Sequence, residues 1–199
     1  LLVFTAGPVV ASFVLSLTSY DVLNPTTFVG LENYRVAFTE DPLFWSSLRR
    51  TLVYALANIP LSLAGSLLLA LLLNQAARGT NVFRTFFFMP HLVPVVAATL
   101  LWKWLLEPNF GLINTLLWRI GIEGPPWLSS STWALPSMVL ISLWGSVGGN
   151  RMLIFLAGLQ NIPEPLYEAA EIDGAGAWAR FWNVTVPMLT PTLFFNLVL

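Results

Sequence analysis

The chain has 199 residues, 56% hydrophobic and only 10% charged, with a mean hydropathy of +0.74. Soluble domains carry about 25% charged residues, so too few are present to coat a water-facing globule, and a soluble enzyme is excluded. Nine Lys+Arg against ten Asp+Glu give a net charge of −1 without a basic stripe, which excludes a nucleic-acid partner. There is no Cys and one histidine, His91, so disulfides, thiolate sites and multi-histidine metal centres are excluded and no cofactor is expected.

A bilayer core about 30 Å thick is crossed by roughly 20 mostly apolar residues in a helix. Five runs approach that length: Leu1–Tyr20, Thr51–Leu73, Phe86–Leu106, Trp133–Leu159 and Val184–Leu199. Their apolar residues do not alternate, so helices rather than barrel strands are predicted. The chain begins inside the first run and stops inside the last, and is read as a piece of a longer membrane protein. Gly7, Pro8, Gly65, Pro90, Pro94, Pro136, Gly145, Gly148 and Gly149 fall in or near the runs, where close helix packing tolerates them.

The connections differ in character. In 21–50, Leu31, Tyr34 and Phe38 fall at helical spacing and predict a short helix at the membrane surface. Asp41 followed by Pro42 reads as a cap and first-turn proline, opening the helix that leads into the second run. The segment 74–85 is short and carries Arg78 and Arg84 without an acid. Residues 107–132, with Gly111, Gly121 and Gly124-Pro125-Pro126, are expected to be irregular. Loop Lys/Arg residues are spread too evenly to orient the chain by charge.

The most patterned connection is 161–187, NIPEPLYEAAEIDGAGAWARFWNVTVP. Pro163 suits a first helical turn, and Glu164 complements its positive end. Leu166, Ala169, Ala170 and Asp173 follow at three- and four-residue spacings. Gly174 and Gly176 are expected to stop this helix. A second helical stretch from Ala177 leads into the last run. The product is a compact helix–turn–helix whose small alanines let another protein come close.

Glu168-Ala169-Ala170, then Asp173-Gly174, then Val184-x-Val186-Pro187 resembles the EAA loop of ABC-importer permeases, with Val in both aliphatic places where the usual pattern has Ile and Leu. Phe155–Pro163 resembles the approach to that loop in the carbohydrate-uptake branch. Phe28–Tyr34 with Asp41–Trp45 resembles that branch's first external loop, and Leu69–Asn74 with Phe86–Pro90 its second span and cytoplasmic turn.

The resemblance implies an all-α polytopic bundle, a six-helix permease fold of which about five spans are present here. Residues 1–50 would hold the first transmembrane helix and an external loop, and 51–199 the permease domain with its EAA loop at 161–187. It implies a multi-pass subunit in the cell membrane that forms a solute path for a sugar or related polyol phosphate. Its implied partners are the lipid bilayer, a dimer of ABC ATPase subunits, a second permease and an extracytoplasmic solute-binding protein. Glu168, Ala169, Ala170, Asp173, Gly174 and Pro187 would couple to the ATPase. The chain is not itself expected to be an enzyme, since it lacks GxxxxGK[ST].

Glu164, Glu168, Glu171 and Asp173 form either a solvated acidic face or a docking surface; no histidine or nucleophile beside them suggests catalysis. His91 is read as a local hydrogen-bonding group and Lys103 as a snorkelling cation. Trp144, Asn150 and Arg151 are candidates for the solute path, set against plain helix packing and snorkelling. The competing function is an ion-coupled secondary transporter.

Overall fold

The computed structural model describes residues 2–21, 23, 25–75 and 79–199. Leu1, where the first run was expected to start, and Arg78 of the short basic turn lie outside the described residues. The chain forms two compact units, Leu1–Val53 and Tyr54–Leu199.

In the first unit, α1 (Leu2–Ser16) is followed by a two-residue hairpin in which β1 (Thr18–Ser19) pairs antiparallel with β2 (Thr27–Phe28). The helix therefore ends four residues before Tyr20, the predicted limit of the run. Asn33 explains why: its Nδ2 donates to Ser16 O at 2.8 Å and Thr18 O at 2.9 Å, satisfying carbonyls the helix end leaves free. The predicted surface helix is present as α2 (Glu32–Arg35), widening into a π-helical turn at Val36–Glu40. Asp41 then caps α3 (Pro42–Asn74) as expected, its Oδ1 accepting from Leu43 N at 2.8 Å. The helix runs 33 residues with Pro60 inside it, enough to cross a bilayer.

In the second unit two of the predicted spans are bent helix pairs. The run expected at Phe86–Leu106 is a bent pair, α4 (Thr80–Leu92) and α5 (Val95–Leu105), turned by 93°. Pro94 causes this: it has no N–H to donate and forces Val93 out of the helical region, to φ −71° and ψ 129°. The run expected at Trp133–Leu159 is also a bent pair, α7 (Ala134–Ser146) and α8 (Asn150–Gln160), turned by 51°. Its break falls on Gly148 and Gly149, which lie against the end of α4. A Cβ on Gly148 would lie 2.0 Å from Phe87 O, and one on Gly149 would lie 2.9 Å from His91 Nδ1. His91 is thus a packing neighbour of the break, its imidazole 5.5 Å from the Phe88 ring and without a side-chain hydrogen bond among the described residues.

The connection between these pairs is more ordered than its composition suggests. It contains α6 (Leu112–Arg119), which the glycines and prolines around it concealed. Asn114 organises the loop: its Nδ2 donates to Pro108 O at 3.0 Å and Pro125 O at 3.2 Å, while its Oδ1 accepts from Trp127 Nε1 at 2.6 Å. Gly124 is required beside it, because a Cβ there would lie 2.1 Å from that oxygen.

Glu107 opens the same loop, with Oε2 accepting from Asn109 N at 2.7 Å and Phe110 N at 2.8 Å. The Phe110 N–H is the main reason its carboxyl titrates below the ordinary 4.5; partial desolvation opposes the shift, and the Asn109 backbone and side chain reinforce it. A carboxylate with a lowered folded-state pKa stabilises above its unfolded value, and loses that contribution as pH falls through the folded one. Amide protection at Asn109 and Phe110 should therefore be high at neutral pH and fall towards the level of Glu107→Gln as acid protonates Glu107, whereas Glu107→Gln should itself change little with pH. Hydrogen exchange on the two proteins checks this; equal pH dependence in both would contradict it.

The buried core joins three helices: Ala70 and Leu73 of α3, Met152, Phe155, Leu156 and Leu159 of α8, and Leu189 of α11 (Val186–Val198). Gly158 lets α8 and α11 approach, since a Cβ there would meet Thr192 Oγ1 at 2.8 Å and Leu189 Cδ2 at 2.9 Å. Outside this core the bundle turns its apolar side chains outward: Phe13, Leu68 and Leu100 are 63%, 61% and 63% exposed. Such a surface is stable in lipid rather than in water. The protein is an all-α, multi-pass membrane bundle.

Candidate functional site

Two places in the second unit concentrate the residues singled out in the sequence. The first is the connection 161–187. Ile162 is buried in the core and fixes where the chain leaves it. Pro163, at φ −61° and ψ 127°, is the cap rather than the first helical residue, and α9 (Glu164–Ile172) starts one position later with Pro165 in its first turn. The extended ψ of Pro163 is what a cap adopts, and its carbonyl accepts from Leu166 N at 3.1 Å.

The end of α9 is a Schellman turn. Gly174 N donates to Glu171 O at 2.9 Å and Ala175 N to Ala170 O at 2.8 Å, with Gly174 at φ +78°. Asp173 closes the helix as its last half-turn residue. After Gly176 the chain re-enters helix as α10 (Ala177–Arg180), passes through a π-helical turn at Phe181–Thr185 and continues as α11, with Pro187 in its first turn.

Side chains tie α9 to the foot of that second helix. Tyr167 OH and the buried Thr185 Oγ1 are 2.9 Å apart, and Arg180 Nη1 pairs with Glu171 Oε1. Tyr167 also packs against the core. This side of α9 is therefore occupied, with Ala170 half-buried, while Glu168, Ala169, Asp173 and Gly174 are exposed. Ile172 projects from the same tip at 87% exposure, an uncovered apolar side chain that the sequence analysis does not single out. Its signal was its place, four residues after Glu168 in a helix whose inward face Tyr167 already fills.

The second place is a polar cavity of about 390 Å³ where the breaks of the two bent pairs meet α3. Asn150 and Arg151, at the start of α8, line it with Asn58 of α3, His91 of α4, and Ser142 and Ser146 of α7. Arg151 Nη1 donates to Ser62 Oγ at 2.8 Å, and that hydroxyl donates to Ile59 O at 3.0 Å. Trp144 is not in this cavity. It lines a separate, apolar groove of about 880 Å³ with Gly65, Phe86 and Val147, and its ring meets Trp102 edge-on at 5.7 Å.

Comparison with known proteins agrees with this architecture. Residues 62–199 match the family model described as binding-protein-dependent transport system inner membrane component. The chain is 44% identical to the probable ABC transporter permease protein YesP of Bacillus subtilis strain 168, aligned over all of this chain and 64% of YesP. It is 38% identical to the sulfoquinovosyl glycerol transport system permease protein SmoG of Agrobacterium fabrum, over 94% of this chain and 59% of SmoG. The chain thus spans about three fifths of the length of these two relatives. In fold it is similar to a solved bacterial ABC transporter involved in the import of the acidic polysaccharide alginate, with a TM-score of 0.83 and 24% identity over 99% of this chain and 66% of that one. With 138 consecutive residues under the family model and 44% identity to YesP over all of this chain, the chain belongs to the binding-protein-dependent transport system inner membrane components.

Proposed function

We propose that this chain is the permease subunit of an ABC importer, carrying a sugar or related polyol phosphate across the cell membrane. The observation that carries the proposal is α9: a short helix presented outward by a Schellman turn and braced to the foot of α11 by Tyr167–Thr185 and Glu171–Arg180. In this reading α9 seats in a cleft of an ABC ATPase. Glu168 meets a basic or donor group there, Ala169 allows close approach, and Ile172 buries its exposed side chain. Ala170 and Asp173 complete the helix end, Gly174 sets the turn, and Pro187 starts the helix that carries the motion onward. Closure of the ATPase dimer moves α9, and the two side-chain braces pass that displacement to α11 and the core packed on it. ATP hydrolysis itself belongs to the partner.

A second permease completes the translocation unit and a solute-binding protein delivers the cargo. The family description names binding-protein dependence, and SmoG is named for sulfoquinovosyl glycerol transport. Asn150 and Arg151 line the solute path, with Trp144 on the neighbouring apolar groove. The ion-coupled alternative is disfavoured by the family match. The sequence also places no Asp or Glu between Asp41 and Glu107 or between Glu123 and Glu164, where a proton or cation relay would need one.

The test is recovery of partners from the native host with tagged full-length protein. An ATPase bearing GxxxxGK[ST] should copurify, and uptake into vesicles should require ATP. Deleting residues 163–176 should remove the ATPase while leaving the protein in the membrane. Solute uptake without nucleotide, or unchanged ATPase recovery by the deletion variant, would refute the assignment.

A further inference from the structure

We propose that Arg151 supplies the counter-charge for an acidic group on the solute, so that the cavity beside α8 selects anionic sugars or polyols over neutral ones. This deepens the importer reading above and rests on it. Arg151 is the second residue of α8, nine positions before Gln160. At 1.5 Å per residue it stands roughly 14 Å along the helix from that end, close to half the thickness of a bilayer core. Its hydrogen bond to Ser62 holds it there, because Ser62 is itself buried in the middle of α3 and anchored to Ile59 O. The guanidinium is therefore fixed at depth rather than stretched towards water.

Among the described residues no carboxylate balances it. The ion pairs among the described residues are Arg35 with Glu32 and Glu40, and Arg180 with Glu171. In the second unit every Asp and Glu lies in 107–123 or 164–173, outside the cavity lining. An unpaired charge at membrane depth is costly, and a hydroxyl partner leaves its net charge intact. The guanidinium has five N–H donors in a planar fork suited to carboxylate, phosphate or sulfonate oxygens. The same cavity holds two buried polar atoms without partners, Asn58 Oδ1 and Ser146 Oγ. An acceptor and a hydroxyl beside a cation match a solute that presents hydroxyl groups next to an acidic one.

The experiment uses the full-length importer with its partner subunits in nanodiscs, reading solute-stimulated ATP hydrolysis. The probes are glucose, galactose and glycerol beside glucuronate, galacturonate, glucose 6-sulfonate and sn-glycerol 3-phosphate, together with the oligosaccharides of the neutral and uronate series. The stimulating probes should be acidic. Arg151→Gln, which keeps a donor for Ser62 and removes the charge, should lower the response to them by about thirtyfold or more, and Arg151→Lys should retain part of it. Both variants should still copurify with the partner subunits as a monodisperse assembly.

A neutral probe stimulating as well as its acidic counterpart would overturn the proposal. So would Arg151→Gln responding to an acidic probe like wild type. If Arg151→Gln fails to assemble with its partners while Arg151→Lys assembles, the counter-ion is a carboxylate of the second permease and the proposal fails. Absence of stimulation by every probe would instead sink the importer reading beneath it.

Discussion

Gly174→Val is expected to abolish coupling while leaving the bundle intact. Gly174 holds φ +78° at the turn that ends α9, and nothing lies within 4 Å of where its Cβ would be. The substitution therefore meets no steric clash with a neighbour, and its whole cost is backbone strain. For an L-residue the left-handed region costs about 1–2 kcal/mol, and more for a β-branched one. That strain falls on the two turn hydrogen bonds from Gly174 N and Ala175 N, which leaves the Tyr167–Thr185 and Glu171–Arg180 contacts to hold α9 by themselves. The turn should open, and α9 should lose its fixed angle to α10 and α11. In the assembled importer, uptake and solute-stimulated ATP hydrolysis should both fall about tenfold or more. Membrane insertion and thermal stability of the bundle should hold. Gly174→Asn, which tolerates the left-handed region, should recover much of the activity. Normal uptake by Gly174→Val would count against the turn as the coupling element.

Gly148→Ala should produce the opposite pattern, a loss of the fold rather than of coupling. A methyl group there would lie 2.0 Å from the carbonyl oxygen of Phe87, which belongs to the α4 backbone and cannot rotate away as a side chain would. The two bent pairs must separate, opening the contact around which the polar cavity is built. Overpacking against backbone belongs at the upper end of the usual range, about 3 kcal/mol. Gly145 provides the control: it lies three residues earlier in α7, and nothing stands within 4 Å of its Cβ position. Gly145→Ala should be neutral or slightly stabilising, since alanine is the better helix former. Thermal melting of the detergent-solubilised protein, followed by size-exclusion chromatography, distinguishes the two variants. Equal melting temperatures would contradict the packing described here.

These two glycines also mark how far the sequence could be read. The turn at Gly174 was legible because everything that makes it is local: an acidic, alanine-rich helix, then Asp173-Gly174, then a new helical run. The five apolar runs were legible for the same reason, since their length and composition are set by the bilayer rather than by a partner. The bend at Val93 was half legible. Pro94 was noted as tolerated in a span, but the 93° turn depends on what packs in the space it opens. The helix α6 was hidden because the glycines around it signal a loop, whereas Gly111 and Gly124 serve close packing against Glu107 O and Asn114 Oδ1. Asn58, Ser62 and Ser66 recur every fourth residue in the otherwise apolar stretch 55–73 of α3, a polar stripe that the sequence does display. Its meaning became clear only with Arg151 seated against it, 89 residues away.

Composition and local spacing determined that this chain lives in a membrane, that its elements are helices, and that one connection is a short helix ended by a glycine turn. Those properties follow from solvent transfer and from hydrogen bonds between residues a few positions apart. Which glycines are indispensable, where the spans break, and that Arg151 meets Ser62 beside a polar cavity were decided by the tertiary structure alone. Such contacts join residues distant in sequence, and no local pattern encodes which surfaces will face each other once the helices pack.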